Sequence, residues 1–369
     1  MNASVRDLRQ LAAASGGKPV LIAAGGTGGH VFPGLSVAEV IRGLGLQVIW
    51  VGTPWGLESR LVPEAGIEIE WVSVSGLRGK GKLALLAAPW RLVKACAQAM
   101  AIIRRRNPYV VLGLGGFASG PAGLAAWLLR KPLVVHEQNA VPGLTNKCLS
   151  RLAQRTLEAF PGAFNPKRQA LDVGNPVRQE IAAVAPPTVR LAGRTGPIRL
   201  LVIGGSQGAR VLNQVVPAAV RDMFEEVDVW HQTGVTDLEI TQQAYDGVSA
   251  RVHAFIHNMA EAYTWADLVI CRSGAMTVAE LAAVGMPSIL VPYPTAVDDH
   301  QTKNGEYLVK DGAAVMIQQK DLTKERLSAE LQRVTEDRTI LFAMAEKARR
   351  LGRTDAAEQV AGVCLEVGR

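Results

Sequence analysis

Two glycine-rich stretches could hold a phosphate: Gly25-Gly-Thr-Gly-Gly-His30 and Gly204-Gly-Ser-Gln-Gly-Ala-Arg210. An apolar run empties into each, Val20 to Ala24 in the first and Leu200 to Ile203 in the second. Glycine tolerates positive φ and lets a ligand approach the backbone, so such a turn between strand and helix aims bare N–H groups and a positive helix end at one point. A third turn of the same kind, Gly115-Gly-Phe-Ala-Ser-Gly-Pro-Ala-Gly123, follows Tyr109-Val-Val-Leu-Gly113. Arg272-Ser-Gly-Ala-Met-Thr-Val-Ala-Glu280 is a further turn and helix start. His30, which closes the first loop, is either a group acting on a substrate, as base or hydrogen-bond donor, or a residue that steadies the turn. Glu137, in His136-Glu-Gln-Asn139, is a second candidate base or a structural carboxylate at a strand end. Cys96, Cys148, Cys271 and Cys364 lack CxxC or metal spacing and read as reduced and structural, as in a cytosolic protein.

The elements that must position these groups alternate between short apolar strands and helices. Strands are expected at Val20–Ala24, Leu46–Val51, Tyr109–Gly113, Leu133–Asn139, Leu200–Ile203, Val227–Trp230, Val252–Phe255, Leu268–Cys271 and Ser288–Pro292. Helices are expected at Pro33–Gly43, from Pro89, and from Ala209. In the helix from Pro89, Leu92, Val93, Cys96, Met100 and Ile103 recur at helical spacing opposite Arg91, Lys94 and Gln98. This alternation implies a parallel sheet covered on both faces, with ligands at the carboxyl ends of its strands. Gly25 and Gly204 lie 179 positions apart in 369 residues, which suggests two similar halves with a cleft between them as the natural active site. The domains read as an N-terminal extension over 1–17, frayed in character, domains over 18–177 and 178–345, and a C-terminal helical segment over 346–369 that packs back on the first domain. Asp172 to Arg178 and Ala185 to Pro197 read as linker, and the charged tail from Leu322 as solvated surface helix.

Hydrophobic residues make up 48% of the chain and charged ones 20%, the composition of an ordinary globular protein, and Met1 to Lys18 lacks the apolar core of a signal peptide. The net charge is +7, yet Trp71 to His136 contains ten basic residues and no acid. That segment is either a solvated or nucleic-acid-binding face or a surface drawn to anionic lipid. Leu83-Ala-Leu-Leu-Ala-Ala-Pro-Trp90 beside Arg78, Lys80 and Lys82 favours the lipid. Arg78, Lys80, Lys82, Leu83, Leu86, Trp90 and Lys94 are the membrane-associating candidates. Tyr109 to Leu129 is charge-free and long enough to span a bilayer, but six glycine and proline residues crowd its interior, so contact without crossing is expected. Gly113-Leu-Gly-Gly-Phe-Ala118 matches GxGxxA only weakly, the second strand lacks an acid for a ribose, and no P-loop occurs.

Gly25 to Pro33, Gly115 to Gly123, His136 to Asn139, Gly174-Asn-Pro-Val-Arg178, Gly204 to Arg210 and Cys271-Arg-Ser-Gly-Ala275 together resemble the MurG family of glycosyltransferases, in order from about Lys18 to the C-terminus. The resemblance implies an α/β GT-B fold, two Rossmann-like domains whose parallel sheets face each other across a cleft. It implies inverting transfer of N-acetylglucosamine from its UDP donor to the muramoyl 4-hydroxyl of lipid I, giving lipid II in peptidoglycan synthesis. It places such a protein at the cytoplasmic face of the inner membrane, with other cell-wall synthesis and division proteins as partners and no nucleic acid. Carried over position by position, the donor set is Thr27, Gly28, Gly29, Asn139, Arg178, Ser206, Ile256, Arg272, Ala275, Met276, Thr277, Glu280, Gln301 and Asn304. Glu280 would hold the ribose hydroxyls, the Ile256 backbone the uracil, and Gln301 and Asn304 the sugar. Contacts around Asp298 and Asp299 are less secure than Gln301, because that loop's length varies. The acceptor diphosphate would meet Gly29, His30, Gly115 and Gly116. Without a DxD motif no ligand set for a divalent ion is apparent, so no metal and no cofactor are expected, and helix ends with Arg272 would offset the charge on UDP. Two other readings compete. A non-hydrolysing UDP-sugar epimerase would not need the basic segment, and a cationic binding module would leave Ser206, Glu280 and Gln301 without a role.

Overall fold

The structure is a computed structural model that describes residues 5–74, 88–205, 208–223 and 225–369. Arg78, Lys80, Lys82, Leu83, Leu86 and Ser206 lie outside the described residues. The chain divides into two units, Met1–Arg178 with Thr354–Arg369, and Gln179–Arg353.

In the first unit, seven parallel strands stand in the order β3-β2-β1-β4-β5-β6-β7. They are β1 Val20–Ala23, β2 Val48–Gly52, β3 Glu68–Trp71, β4 Val110–Gly113, β5 Leu133–Glu137, β6 Arg155–Glu158 and β7 Leu171–Asp172. Every residue of β1, β2, β4 and β5 is buried, the mark of strands covered on both faces, which is why they read as unbroken apolar runs. The second unit holds β8 Ile198–Ile203, β9 Val227–Gln232, β10 Ala250–His253, β11 Leu268–Cys271, β12 Ser288–Leu290 and β13 Ala314–Met316. Their order is β10-β9-β8-β11-β12-β13, again all parallel. Each unit therefore has a Rossmann-like sheet whose strand order reverses between two central strands, β1 and β4 in one and β8 and β11 in the other. The crevice at such a reversal, outside the carboxyl ends, is where these sheets take ligands.

Several expectations are corrected. The N-terminal stretch is not frayed over its length: Val5–Ala14 is a helix whose Leu8, Leu11 and Ala12 are buried in the core of the first unit. The helix after the first glycine loop begins at Gly28, not Pro33, so Gly28, Gly29 and His30 form its first turn. Ala185 to Pro197 is not a linker. It contains the short helix Pro187–Arg190, and Arg190, 6% exposed, donates to the carbonyls of Ala266 and Gly285 at 2.8 Å each. The tail is not merely a solvated surface. Leu327, Leu331, Leu341 and Met344 are buried on helices Lys324–Thr335 and Arg338–Leu351. Helix Ala356–Val367 buries Val360, Ala361, Cys364 and Leu365 in the first unit's core. Residues 346–351 continue helix Arg338–Leu351 of the second unit, so the chain changes unit after Arg353.

Helix Ala88–Arg106 buries Ala95, Cys96, Ala99, Ile102 and Ile103, whereas Leu92 and Val93 are 48% and 58% exposed. The core stripe lies one step further round the helix than the spacing implies, on the face that carries Ala95 and Ala99. Trp90 is 76% exposed beside them, with Arg91 and Lys94 exposed as well. Among the described residues of the acid-free segment, Arg105 and Arg106 are in ion pairs: both pair with Glu70, and Arg106 also with Glu68. Among the described residues no helix is long and apolar enough to cross a membrane. Tyr109 to Leu129 is β4 followed by helix Gly116–Leu128. Of the four cysteines, Cys96, Cys271 and Cys364 are buried and Cys148 is exposed; all are free thiols.

Candidate functional site

In the first unit the two glycine loops meet at the β1/β4 reversal. Leu114 N–H donates to the Ala23 carbonyl at 3.0 Å, which carries the ladder past the strand ends. Gly116 has φ of +77°, and a Cβ there would lie 2.2 Å from the Gly25 oxygen, so only glycine permits the loops to touch. A Cβ on Gly115 would stand 3.1 Å from His30 Nε2, which places the imidazole directly against that loop. Thr27 Oγ1 lies 3.4 Å from His30 Nδ1. The structure thus gathers Thr27, Gly28, Gly29, His30, Gly115 and Gly116 at the first turns of two helices, Gly28–Gly43 and Gly116–Leu128. Both helices direct unsatisfied N–H groups at this place, an arrangement suited to a diphosphate. Burial pushes the His30 imidazole below its ordinary value, opposed in part by the carboxylates of Glu137 and Glu58. His30 is therefore neutral at pH 7, with one nitrogen able to accept a proton and the other able to donate one.

Glu58 is a residue that the sequence reading missed. It is fully buried, and Oε2 accepts from Gly26 N–H at 2.8 Å while Oε1 accepts from Thr53 N–H at 2.9 Å and Thr53 Oγ1 at 2.7 Å. A Cβ on Gly25 or Gly56 would meet a Glu58 oxygen at 2.3 or 2.0 Å. Its carboxylate thus clamps the first glycine loop from below. In sequence it is an ordinary first-turn acid of helix Glu58–Glu64, and only the glycines at 52, 56 and 25 hint at a side chain that fills their space.

Glu137 ends β5 buried, and four donors occupy its oxygens: Asn139 N–H and Nδ2, Gly143 N–H and Asn146 Nδ2, at 2.9 to 3.1 Å. Such saturation favours its reading as a structural carboxylate that shapes the loop carrying Asn139. His136 is fully buried, donates from Nε2 to the Gly174 carbonyl at 2.9 Å and accepts at Nδ1 from Gln138 Nε2 at 3.1 Å. Burial pulls its pKa down to about 4. Arg178 lies over the Phe32 ring, 5.3 Å from its centroid.

In the second unit Gly204 leaves β8, and Gly208, at φ +74°, packs so closely that a Cβ would lie 2.0 Å from the Thr233 oxygen. Gln232 Nε2 donates to the Gly205 carbonyl at 2.8 Å, and Asn213 Nδ2 ties helix Arg210–Val220 to the Thr233 carbonyl at 3.1 Å. Across the reversal, helix Ala275–Val284 starts after β11 with Gly274 as its N-cap, and places Ala275, Met276 and Thr277 in its first turn. Glu280, one turn on and 9% exposed, accepts from Tyr263 Oη at 3.0 Å. The Arg272 guanidinium donates to the carbonyls of Val291 and Pro292 at 3.1 Å each and to Gln319 Oε1 at 2.7 Å, and lies 5.4 Å from the Tyr293 ring centre. It braces the loop after β12, and burial lowers its pKa. Gln301 Oε1 accepts from Tyr293 N–H at 2.9 Å in the same loop. Asn304, buried, donates to the Ser273 carbonyl at 3.4 Å. Asp298 and Asp299 both have left-handed φ, 54° and 51°, just before helix His300–Val309. Ile256 is buried in the loop between β10 and helix Met259–Trp265. Tyr263 and Gln319, the partners of Glu280 and Arg272, had no signal in the sequence.

Comparison with known proteins gives a consistent result. Residues 20–158 match the glycosyltransferase family 28 N-terminal domain and residues 199–360 the family 28 C-terminal domain. A protein of Nitrosococcus oceani is 53% identical over 352 residues, 94% of this chain and 98% of its own length. One from Alkalilimnicola ehrlichii is 54% identical over 355 residues, 95% and 99% of the two chains. Both are named UDP-N-acetylglucosamine–N-acetylmuramyl-(pentapeptide) pyrophosphoryl-undecaprenol N-acetylglucosamine transferase. The crystal structure of Acinetobacter baumannii MurG superposes with a TM-score of 0.84 at 38% identity, over 95% of this chain and 99% of that one. A UDP-N-acetylglucosamine 2-epimerase of Listeria monocytogenes gives 0.64 at 14% identity, over 93% and 94%, a likeness of fold alone.

Proposed function

The chain belongs to glycosyltransferase family 28, and from that membership we propose that it transfers N-acetylglucosamine from UDP-N-acetylglucosamine to lipid I, giving lipid II and UDP in peptidoglycan synthesis. The observation that carries this reading is identity above one half, over nearly the whole chain, to enzymes named for that transfer. Family membership with this degree of identity also sets the epimerase aside.

The second unit takes the donor. Its diphosphate lies against the Gly204 to Gly208 loop and the start of helix Ala275–Val284, where free N–H groups and the helix dipole offset charge. Glu280, steadied by Tyr263, accepts the ribose hydroxyls, and Gln301 and Asn304 meet the sugar. The first unit takes the acceptor, its diphosphate on the helix starts beside Gly29, Gly115 and Gly116. The muramoyl 4-hydroxyl attacks the anomeric carbon as the bond to the UDP oxygen breaks, and inversion follows from attack opposite the leaving group. The hydroxyl's proton goes to a base, for which neutral His30 is better suited than Glu137, whose oxygens are saturated. Among the described residues no group of three His, Cys, Asp or Glu side chains could hold a metal ion, and we expect EDTA to leave the chemistry largely intact. Trp90, Leu92 and Val93, exposed beside Arg91 and Lys94, support peripheral attachment to the cytoplasmic face of the inner membrane.

The deciding assay is transfer of labelled N-acetylglucosamine from its UDP donor to a lipid I analogue. Well-folded protein that transfers nothing would exclude the reading, and a rate abolished by EDTA and restored by Mg²⁺ would overturn its metal-free form.

A further inference from the structure

A second concave site lies on the same edge of the first unit's sheet, away from the glycine loops. It is a cavity of about 340 Å³ between the segment following β5 and the segment following β6. Pro142 and Phe164, both buried, are among its lining, and around them stand four cations, Lys147, Arg151, Lys167 and Arg168, with no acid in the lining. None of these four side chains is in an ion pair with another described residue.

The walls of this cavity are held from beneath by one device used twice. Glu137 and Glu158 are register partners at the ends of β5 and β6. Each is buried, and each spends its oxygens on the backbone of its own loop. Glu137 accepts from Asn139 and Gly143 N–H, and Glu158 from Gly162 N–H at 2.9 Å and Phe164 N–H at 3.0 Å. The negative charges are consumed inside, and the positive ones are left on the rim. A preformed cavity with an apolar floor and a cationic rim suits a flexible ligand bearing carboxylates.

We infer that this basic pocket binds the anionic end of the acceptor's peptide, and this rests on the function proposed above. Distance favours it over other anions. β5 and β6 are the next two strands beyond β4, about 5 Å and 10 Å from it at ordinary strand spacing, and the glycine loops lie at β1 and β4. An extended pentapeptide reaches about 17 Å, so an acceptor whose diphosphate sits on the glycine loops can lay its peptide over β5 and place its terminal carboxylate among these cations. A lipid headgroup would instead be expected on a convex face with exposed apolar residues between the charges, as on helix Ala88–Arg106.

The test uses the full chain, a soluble lipid I analogue with a free terminal carboxylate, and the same analogue amidated at that carboxylate. With the parent protein, amidation should raise the acceptor's KM about three- to tenfold, an effect that shrinks in high salt. The variant Arg151→Gln/Arg168→Gln should show the raised KM with the free acid, no further loss on amidation, and an unchanged KM for the donor. Thermal melts should match the parent, because neither side chain is buried. Equal KM values for both analogues with the parent, or additive losses in the variant, would overturn the inference while leaving the transferase reading intact. So would a variant that keeps the parent's KM values but loses binding to anionic vesicles, since the pocket would then be a headgroup site. If the parent transfers sugar to neither analogue, the proposed function fails and this inference with it.

Discussion

At the scale of single residues, the chemistry depends on groups whose charge is disposed by immediate neighbours. Glu280 is nearly dry and accepts a hydrogen bond from Tyr263 Oη at 3.0 Å. Replacing it with alanine should raise the donor's KM by about ten- to a hundredfold, since a hydrogen bond to a charged group contributes roughly 1.5–3 kcal/mol. The acceptor's KM should hardly move, and a steady-state series in each substrate separates the two. Tyr263→Phe should reproduce a smaller part of the donor effect, because it removes one hydrogen bond that orients Glu280 and leaves the carboxylate in place. Unchanged donor KM in both variants would take Glu280 out of the donor site. His30 and Glu137 show how much the neighbours decide. Both sit near the glycine loops and both could be drawn as bases from sequence, but Glu137 has four donors on its oxygens, whereas the His30 imidazole packs against Gly115 with Nδ1 beside Thr27 Oγ1.

The elements make the site by bringing loops from distant parts of the chain to one reversal in strand order. The first loop's position rests on Glu58, which reaches it from the next crossover and leaves room only for glycine at its contacts. Glu58→Ala would strand both Thr53 donors in a dry place and take the acceptor from Gly26 N–H, and should cost about 2–4 kcal/mol in urea unfolding. Glu58→Gln keeps one acceptor oxygen and should recover part of that loss, while acceptor KM rises in both. If Glu58→Ala unfolds at the parent's midpoint with unchanged acceptor KM, the clamp has no role. Helix Ala88–Arg106 calls for a different measurement. Trp90→Ser/Leu92→Ser/Val93→Ser removes apolar side chains that are 76%, 48% and 58% exposed, so its melting temperature should stay close to the parent's. Its sedimentation with anionic vesicles should fall, and Lys80→Glu/Lys82→Glu/Lys94→Glu should reduce it most at low salt, where screening is least. Vesicle binding equal to the parent's in both variants would make the basic segment a solvated face.

For the molecule as a whole, each unit carries a buried neutral histidine, His136 in the first and His231 in the second, with pKa values pulled by burial to about 4 and about 3. The unfolded chain binds these protons near pH 6.5 and the folded one does not, so stability is full above that value and is lost as pH falls toward the folded values. Between pH 6.5 and 5 each histidine should cost up to about 1.4 kcal/mol per pH unit, and urea midpoints taken at pH 7 and pH 5 measure the sum. His231→Asn should flatten the profile, and a parent profile already flat over that range would contradict both assignments. The sequence by itself did not mark β3, β6, β7 or β13, but it determined the alternation through the central strands, the two halves and the phosphate loops. These features are local, since apolar runs, glycine turns and helix starts are written in adjacent residues. Only tertiary structure decided that the N-terminal stretch is a helix on the core, that Ala185 to Pro197 is packed, and that Leu92 and Val93 face outward. It alone placed Glu58 beneath the first loop and Glu137 beside Glu158. A charged residue's sequence neighbours do not say whether it points to water or into a ring of backbone donors, because those donors come from other strands and loops.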